Sequence, residues 1–373
     1  MVFASLPDFM MEEGGDPIQA AEALIACGRA ADAARDLRAR LAAGRGGLLA
    51  RLTLVRALLS AGDIKGALEE AREAAALNPN VAPAALALGE ALLAAELLPI
   101  AIAEMQRALR LDPDLPRARR LLAQAWLAAG EADKALEELR GLDDTALVAR
   151  AQAIKRASRC DAGYVRHLFD QFSADYDRRM LGDLHYSAPQ ILFELAAMVM
   201  PGRIGASARA GATNMKSLAI LDLGCGTGLA GRMFKPAAAR LDGVDLSPAM
   251  IAKARAGGLY DHLAVDDLES VLAQPEPRYD LILAADTLVY LGDLAGVFQG
   301  VRAKLSPDGY FLFTVEKAQS GFELGPKRRW RHSDAYLRAA AQAFGLNVAG
   351  LVAAAPRQEA NQPVQGFAVA LTL

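Results

Sequence analysis

Two hydrophobic rhythms divide the chain. In the first, apolar residues recur at helical spacing and the whole pattern repeats every 34 residues: Leu54 aligns with Leu88 and Leu122, Leu58 with Leu92 and Trp126, and Ala33 with Ala67, Ala101 and Ala135. Gly28, Gly62 and Gly130 share another column, in which Glu96 is the exception, and Pro79 and Pro113 share a third. The glycines release the chain between two helices, the alanines let those helices approach, and the prolines end the second helix. This predicts about four amphipathic helix pairs between Asp16 and Gly141, each burying its apolar stripe on the next. Helical composition continues over residues 145–159, read as a capping helix with a polar outer face.

The second rhythm is strand and helix in alternation. Short apolar runs at 218–223, around Leu241 and Val244, and at 263–265, 280–285 and 309–315 are separated by helical stretches such as 249–256 and 295–304. Buried strands in this order predict a parallel, doubly wound sheet, its fifth strand reached through the turn Ser306-Pro307-Asp308-Gly309. Residues 201–217, rich in Gly, Ala and Ser without apolar period, read as a mobile loop. The domains expected are 14–158, repeat array with capping helix, and 160–373, with lid helices at 160–200, the loop at 201–217 and the core at 218–373.

The period and residue types of the first half resemble the tetratricopeptide repeat (TPR), two antiparallel helices per unit; a non-repetitive alanine-rich bundle would not keep such columns. The resemblance implies an α-solenoid whose concave face takes a peptide or partner protein. Its surface of Ala, Leu, Arg and Glu names no ligand, so a positioning or oligomerisation scaffold stays open.

The candidate chemistry sits where the first strand ends. Gly224, Gly226 and Gly228 in D-L-G-C-G-T-G form a tight turn at which a ligand can approach the backbone, and Asp245 closes the second strand where an acid can accept ribose hydroxyls. Ser247-Pro248 follows as a helix start. This G-x-G-x-G spacing differs from the dinucleotide fingerprint G-x-G-x-x-G. The turn together with G-V-D-L-S-P resembles the class I S-adenosylmethionine-dependent methyltransferases, whose fold is a Rossmann-like doubly wound sheet. That resemblance implies S-adenosylmethionine as cofactor, held by Gly224, Cys225, Gly226, Gly228, Asp245, Leu246, Asp266 and Ala285, with Asp245 on the ribose and Asp266 facing the adenine.

Ahead of the sheet, F-D-Q-F-S-A-D-Y-D puts aromatic residues at 169, 172 and 176 on one helical face, a core stripe by itself. It is similar to the lid segment of small-molecule methyltransferases, which implies lid or substrate roles for Phe172 and Tyr176, joined by Tyr290 after the fourth strand. With the array and the tail segment R-x-x-H-S-x-x-Y (Arg329, His332, Ser333, Tyr336), nearly the whole chain resembles a bacterial family of predicted TPR-containing methyltransferases. His332, in the connection before a helix capped by Ser333, is a candidate general base or a structural hydrogen-bonding residue. Asp286 reads equally as helix cap or site residue.

Composition narrows the partners. The net charge of −3 over 373 residues gives no electrostatic footprint for nucleic acid, and the cluster Lys327, Arg328, Arg329, Arg331 reads as a solvated loop. Three scattered cysteines indicate neither disulfides nor a zinc site and fit a reducing cytoplasm; no metal motif is present. The most apolar window, 81–105, carries Glu90, Glu96 and Glu104, too many charges to span a bilayer, and the first residues lack the pattern of a signal peptide. The expected activity is methyl transfer to a small organic or partner-delivered acceptor; the alternative is a TPR binding module whose second domain is inactive or only senses the cofactor.

Overall fold

A computed structural model describes residues 16–204 and 217–373; residues 14–15 of the expected array and 205–216 of the expected loop lie outside the described residues. The chain divides into two compact units, Met1–Lys155 and Arg156–Leu373.

The first unit consists of consecutive helices: α1 (Pro17–Ala26), α2 (Ala30–Ala42), α3 (Leu48–Ser60), α4 (Ile64–Leu77), α5 (Ala82–Ala94), α6 (Leu98–Leu111), α7 (Pro116–Ala128), α8 (Ala132–Glu138) and α9 (Thr145–Arg156). Ala33, Ala67, Ala101 and Ala135 are all fully buried, as a close helix approach demands. Gly28, Gly62 and Gly130 have φ of 77°, 79° and 71°, and Glu96, the exception in the column, adopts φ 58°. Each ends its helix in the same two bonds. At Gly62, its N–H donates to the Leu59 carbonyl (3.1 Å) and that of Asp63 to Leu58 (2.9 Å); at Glu96 the partners are Leu93 (3.0 Å) and, through Leu97, Leu92 (2.9 Å). The column thus encodes a left-handed cap, which glycine enters freely and an L side chain only against strain. A Cβ on Gly62 meets nothing within 4 Å, so Gly62→Ala isolates that strain. It should destabilise the unit by about 1 kcal/mol in urea unfolding. An unchanged midpoint would show that the backbone relaxes there.

The second unit opens with α10 (Ala162–Phe172), α11 (Tyr176–Arg178) and α12 (Ala188–Val199). The sheet follows: β1 (Leu218–Leu223), α13 (Leu229–Phe234), β2 (Ala238–Asp245), α14 (Pro248–Ala256), β3 (His262–Val265), α15 (Leu268–Ala273), β4 (Tyr279–Ala284), α16 (Ala295–Lys304) and β5 (Leu305–Lys317). After it come β6 (Phe322–Leu324), β7 (Trp330–His332), α17 (Asp334–Ala343), β8 (Asn347–Ala354), β9 (Gln358–Glu359), β10 (Gln362–Pro363) and β11 (Gly366–Thr372). The main path runs β3-β2-β1-β4-β5-β11-β8. β1 to β5 run parallel to one another, whereas β11 pairs antiparallel with both β5 and β8.

The sheet is therefore mixed rather than wholly parallel. The run Gly-Phe-Ala-Val-Ala-Leu-Thr at 366–372 is buried to its penultimate residue and finds its partners in β5 and β8. The turn expected at 306–309 is absorbed into β5 as an irregularity: Leu305 pairs with Tyr279 and Tyr310 with Leu281. Alternate residues face opposite cores. Leu221, Leu223, Ile282, Ala284, Phe311 and Phe313 pack with Phe298 and Val301 of α16 and with Leu337 of α17. Leu218, Ile220, Leu281, Leu283 and Leu312 pack with Leu192 and Leu195 of α12 and with Phe234. Helices cover both faces, which is why the strands read as continuous apolar runs.

Candidate active site

The site is built at the carboxyl ends of β1, β2 and β4. Gly224, Gly226 and Gly228 carry φ of 69°, 54° and 96°. A Cβ on Gly224 would fall on the Thr287 side chain, whose Oγ1 donates to the Leu223 carbonyl (3.0 Å). The N–H groups of Gly224 and Cys225 donate to the Val244 carbonyl (2.8 and 3.0 Å), tying the turn to β2. Asp245 completes the turn, since its two carboxylate oxygens accept from the N–H of Gly226 (2.9 Å) and of Ser247 (2.8 Å). Burial raises its pKa, and those two N–H groups act in the opposite direction.

A cleft of about 690 Å³, partly open to solvent, lies over this turn. Gly224, Gly226, Asp245, Leu246, Asp266, Ala285, Tyr176 and Tyr290 all line it, so most of the residues singled out from sequence come together. Two of the turn residues do not. Cys225 is buried beneath the turn and lines only a smaller adjoining recess of about 280 Å³. Gly228 is the N-cap of α13, where an added Cβ would meet the Tyr260 ring.

Asp222, the acid two residues before the first glycine, also lines the recess. Tyr260 donates to its Oδ2 (2.7 Å), while its Oδ1 is buried with no partner. Burial pushes the Asp222 carboxyl up to about 7, the Tyr260 hydroxyl working against this. Its spacing from the glycines was the available sequence signal for this residue.

The segment expected as a lid is tied to the glycine turn and to α14 and its cap. Asp170 accepts from the Ser247 hydroxyl and Asp177 from Thr227 Oγ1 (2.5 Å), while Lys253 Nζ reaches the carbonyls of Ser173 and, at 3.0 Å, Ala174. The ring of Phe169 meets those of Tyr176 and Tyr290 edge-on, with centroids 6.1 and 5.6 Å apart. Phe169 and Tyr176 line the cleft; Phe172 does not, and this corrects the expectation of one aromatic face. Phe172 is the last residue of α10, a tight 3-10 turn over Ser173–Asp175 redirects the chain after it, and its exposed ring packs under Arg179.

His332 is not a cleft residue. It ends β7, a strand rather than the expected connection, and is fully buried against Phe322 and Tyr336. Its Nε2 stands 2.9 Å from the Gly292 carbonyl, which can only accept, so the proton resides there, and Nδ1 has no partner. Burial pushes its pKa down to about 4, with the Gly292 carbonyl acting in the opposite direction. The unfolded chain, with an ordinary histidine near 6.5, therefore binds the proton more tightly. The stability difference is absent above about pH 6.5 and grows as pH falls toward 4, reaching about 3 kcal/mol. Relative to His332→Gln, the native protein should lose that amount between pH 7 and pH 4 in unfolding titrations; parallel curves would contradict it.

The basic cluster is not a solvated loop either. Arg329 donates to Glu316 (2.7 Å) and pairs with Glu359, Arg331 lies 3.5 Å from Glu316, and Lys327 is 2.8 Å from Glu359. Arg328 lies over the Tyr164 ring. At the centre is Arg357, 3% exposed, which binds Asp286, Glu316 and Glu359. Asp286 thus faces the cleft as part of an ionic network instead of capping a helix. Arg159, paired with Asp267 and Glu269, lines the cleft as well. Neither Arg159 nor Arg357 stood in any motif.

Residues 221–311 match the methyltransferase domain family. The human methyltransferase-like protein 27 is 34% identical over 124 residues, 33% of this chain and 46% of that protein. The ubiquinone biosynthesis O-methyltransferase of Xylella fastidiosa is 29% identical over 148 residues, 35% of this chain and 60% of the relative. The chain thus spans about half the length of these curated relatives. A solved magnesium protoporphyrin IX methyltransferase from Synechocystis with bound S-adenosylhomocysteine is 18% identical, covers 56% of this chain and 98% of its own, and superposes with a TM-score of 0.43. The second unit therefore contains a segment, residues 221–311, that matches a methyltransferase domain.

Proposed function

We propose that the protein transfers a methyl group from S-adenosylmethionine to a small organic or partner-delivered acceptor. The observation that carries this reading is one cleft in which the glycine turn and the Asp245 carboxylate stand side by side at the strand ends. The residues present suit that cofactor. Asp245 retains acceptor capacity for the ribose hydroxyls beyond its two backbone donors, Asp266 and Leu246 line the same cleft where the adenine would lie, and Asp222 lines the adjoining recess as an acid with which an ammonium group could pair. When bound, the cofactor supplies an activated methyl group on a sulfonium. The work left to the chain is to align the acceptor and leave room for proton loss, which the fastened segment and the Phe169, Tyr176 and Tyr290 rings favour.

The helix-pair array is proposed as a TPR scaffold for a peptide or protein partner, supported by the buried alanine column and the repeated left-handed cap. Among the described residues no helix is long and apolar enough to cross a membrane, and no group of side chains could hold a metal ion. The three free cysteines support a reducing, cytoplasmic setting. Equilibrium binding of S-adenosylmethionine to the full-length protein, paired with transfer of isotope-labelled methyl into a cell extract, tests the reading. Binding without transfer would favour a cofactor sensor, and neither would end it.

A further inference from the structure

Asp286 is the cleft aspartate that the cofactor reading leaves without a task. Asp245 and Asp266 belong to that reading, and Asp267 accepts the Glu269 N–H (2.9 Å) at the start of α15 while pairing with Arg159. Asp286 follows the end of β4 with φ 59°, a left-handed conformation that aspartate adopts seldom and only where its surroundings enforce it. Here they do. Its N–H donates to Thr314 Oγ1 (2.8 Å), and its two oxygens accept from Arg357 Nη1 at 2.5 and 2.6 Å.

Arg357 does not neutralise that carboxylate alone, because it also serves Glu316 and, through Nε at 3.0 Å, Glu359. Arg329, its side chain 16% exposed, bridges Glu316 and Glu359 beside it. Lys327 and Arg331 pair at the outer side, where their side chains are 63% and 35% exposed and water screens them. Of the three carboxylates, Asp286 is the one that lines the cleft. Tyr176 and Tyr290 stand beside it: burial first, and next the Asp286 carboxylate, raises the pKa of both hydroxyls. A carboxylate flanked by aromatic rings recognises an organic cation and repels an anion.

We propose that Asp286, positioned by Arg357, anchors the methyl acceptor, and that this acceptor is an amine bound as its ammonium ion between Asp286 and the rings of Tyr176 and Tyr290. The inference rests on the methyltransferase reading for the amine's fate. To accept a methyl group the ammonium sheds one proton to water in the open cleft; the freed lone pair forms the new C–N bond, and the electron pair of the donor's C–S bond stays on sulfur.

The test uses the full-length protein and three probes of one shape: benzylamine, benzyl alcohol and benzoate. Their dissociation constants are measured by titration calorimetry with and without S-adenosylhomocysteine. Benzylamine should bind about tenfold more tightly than either of the others, and Asp286→Asn should bring it within about twofold of benzyl alcohol. Tyr290→Leu, which leaves the ionic network intact, should also weaken benzylamine and not benzoate. Three equal affinities, a preference for benzoate, no benzylamine binding at millimolar concentration, or a preference that survives in Asp286→Asn would overturn the proposal. So would an Asp286→Asn protein that loses S-adenosylmethionine but keeps S-adenosylhomocysteine, since the carboxylate would then serve the sulfonium. Failure of S-adenosylhomocysteine to bind would sink the cofactor reading by itself, because the probe ranking is read without it too.

Discussion

Asp245→Ala should weaken S-adenosylmethionine at least about tenfold, since charge-assisted hydrogen bonds from ribose hydroxyls to a carboxylate contribute on the order of 1.5–3 kcal/mol. The structure makes the expected loss larger. The same carboxylate holds the N–H groups of Gly226 and Ser247, so its removal frees the turn that shapes the cleft and the start of α14. Asp245→Asn keeps the size and one acceptor oxygen and should fall between the two. Titration calorimetry decides, and an Asp245→Ala protein with native affinity would remove Asp245 from the ribose role.

Arg357→Met should strongly destabilise the second unit. Methionine matches the length of the stem but leaves Asp286, Glu316 and Glu359 without their shared cation. Breaking a buried ion pair from one side costs about 3–5 kcal/mol because the remaining charge stays desolvated. For a unit of this size, each kcal/mol lowers the melting temperature by roughly 2–4 °C, so a drop of about 10 °C is expected. Lys327→Met is the internal control. Its side chain is 63% exposed, and an exposed pair of this kind is worth about 1 kcal/mol or less. Equal melting temperatures for the two variants would show that water reaches Arg357 and that the network is not a buried one.

Both results bear on how far the chain could be read in advance. The 34-residue columns located the helix pairs because each column answers to a local requirement: a left-handed cap at Gly28, Gly62 and Gly130, and a close helix contact at Ala33, Ala67, Ala101 and Ala135. Glu96 shows the limit of that logic, since it takes the glycine's conformation where the pattern alone marked an exception. Likewise Gly224, Gly226, Asp245, Leu246, Asp266 and Ala285 were legible because each sits at a strand end that the apolar runs mark out, and parallel strands bring their carboxyl ends to one edge.

What sequence could not assign depended on partners far along the chain. Nothing local to Arg357 says that its guanidinium reaches Asp286, 71 residues earlier, or that it also reaches Glu316. That proximity exists because β8 ends at Ala354 opposite Gly366 of β11, and Gly366 pairs with Glu316 at the end of β5, so the segment carrying Arg357 lies at the carboxyl edge of β4 and β5. The same folding buried His332, whose polarity and spacing suggested a base, beneath Phe322 and Tyr336, and turned Phe172 outward where a 3-10 turn interrupted the helix period. Periodicity and turn chemistry are properties of a few neighbouring residues, so the chain alone determined its helix pairs, the parallel strands β1 to β5 and the edge at which the glycine turn and Asp245 meet. Burial and charge pairing are properties of the packed whole, so only the tertiary structure decided which carboxylates the cleft exposes and which cations hold them.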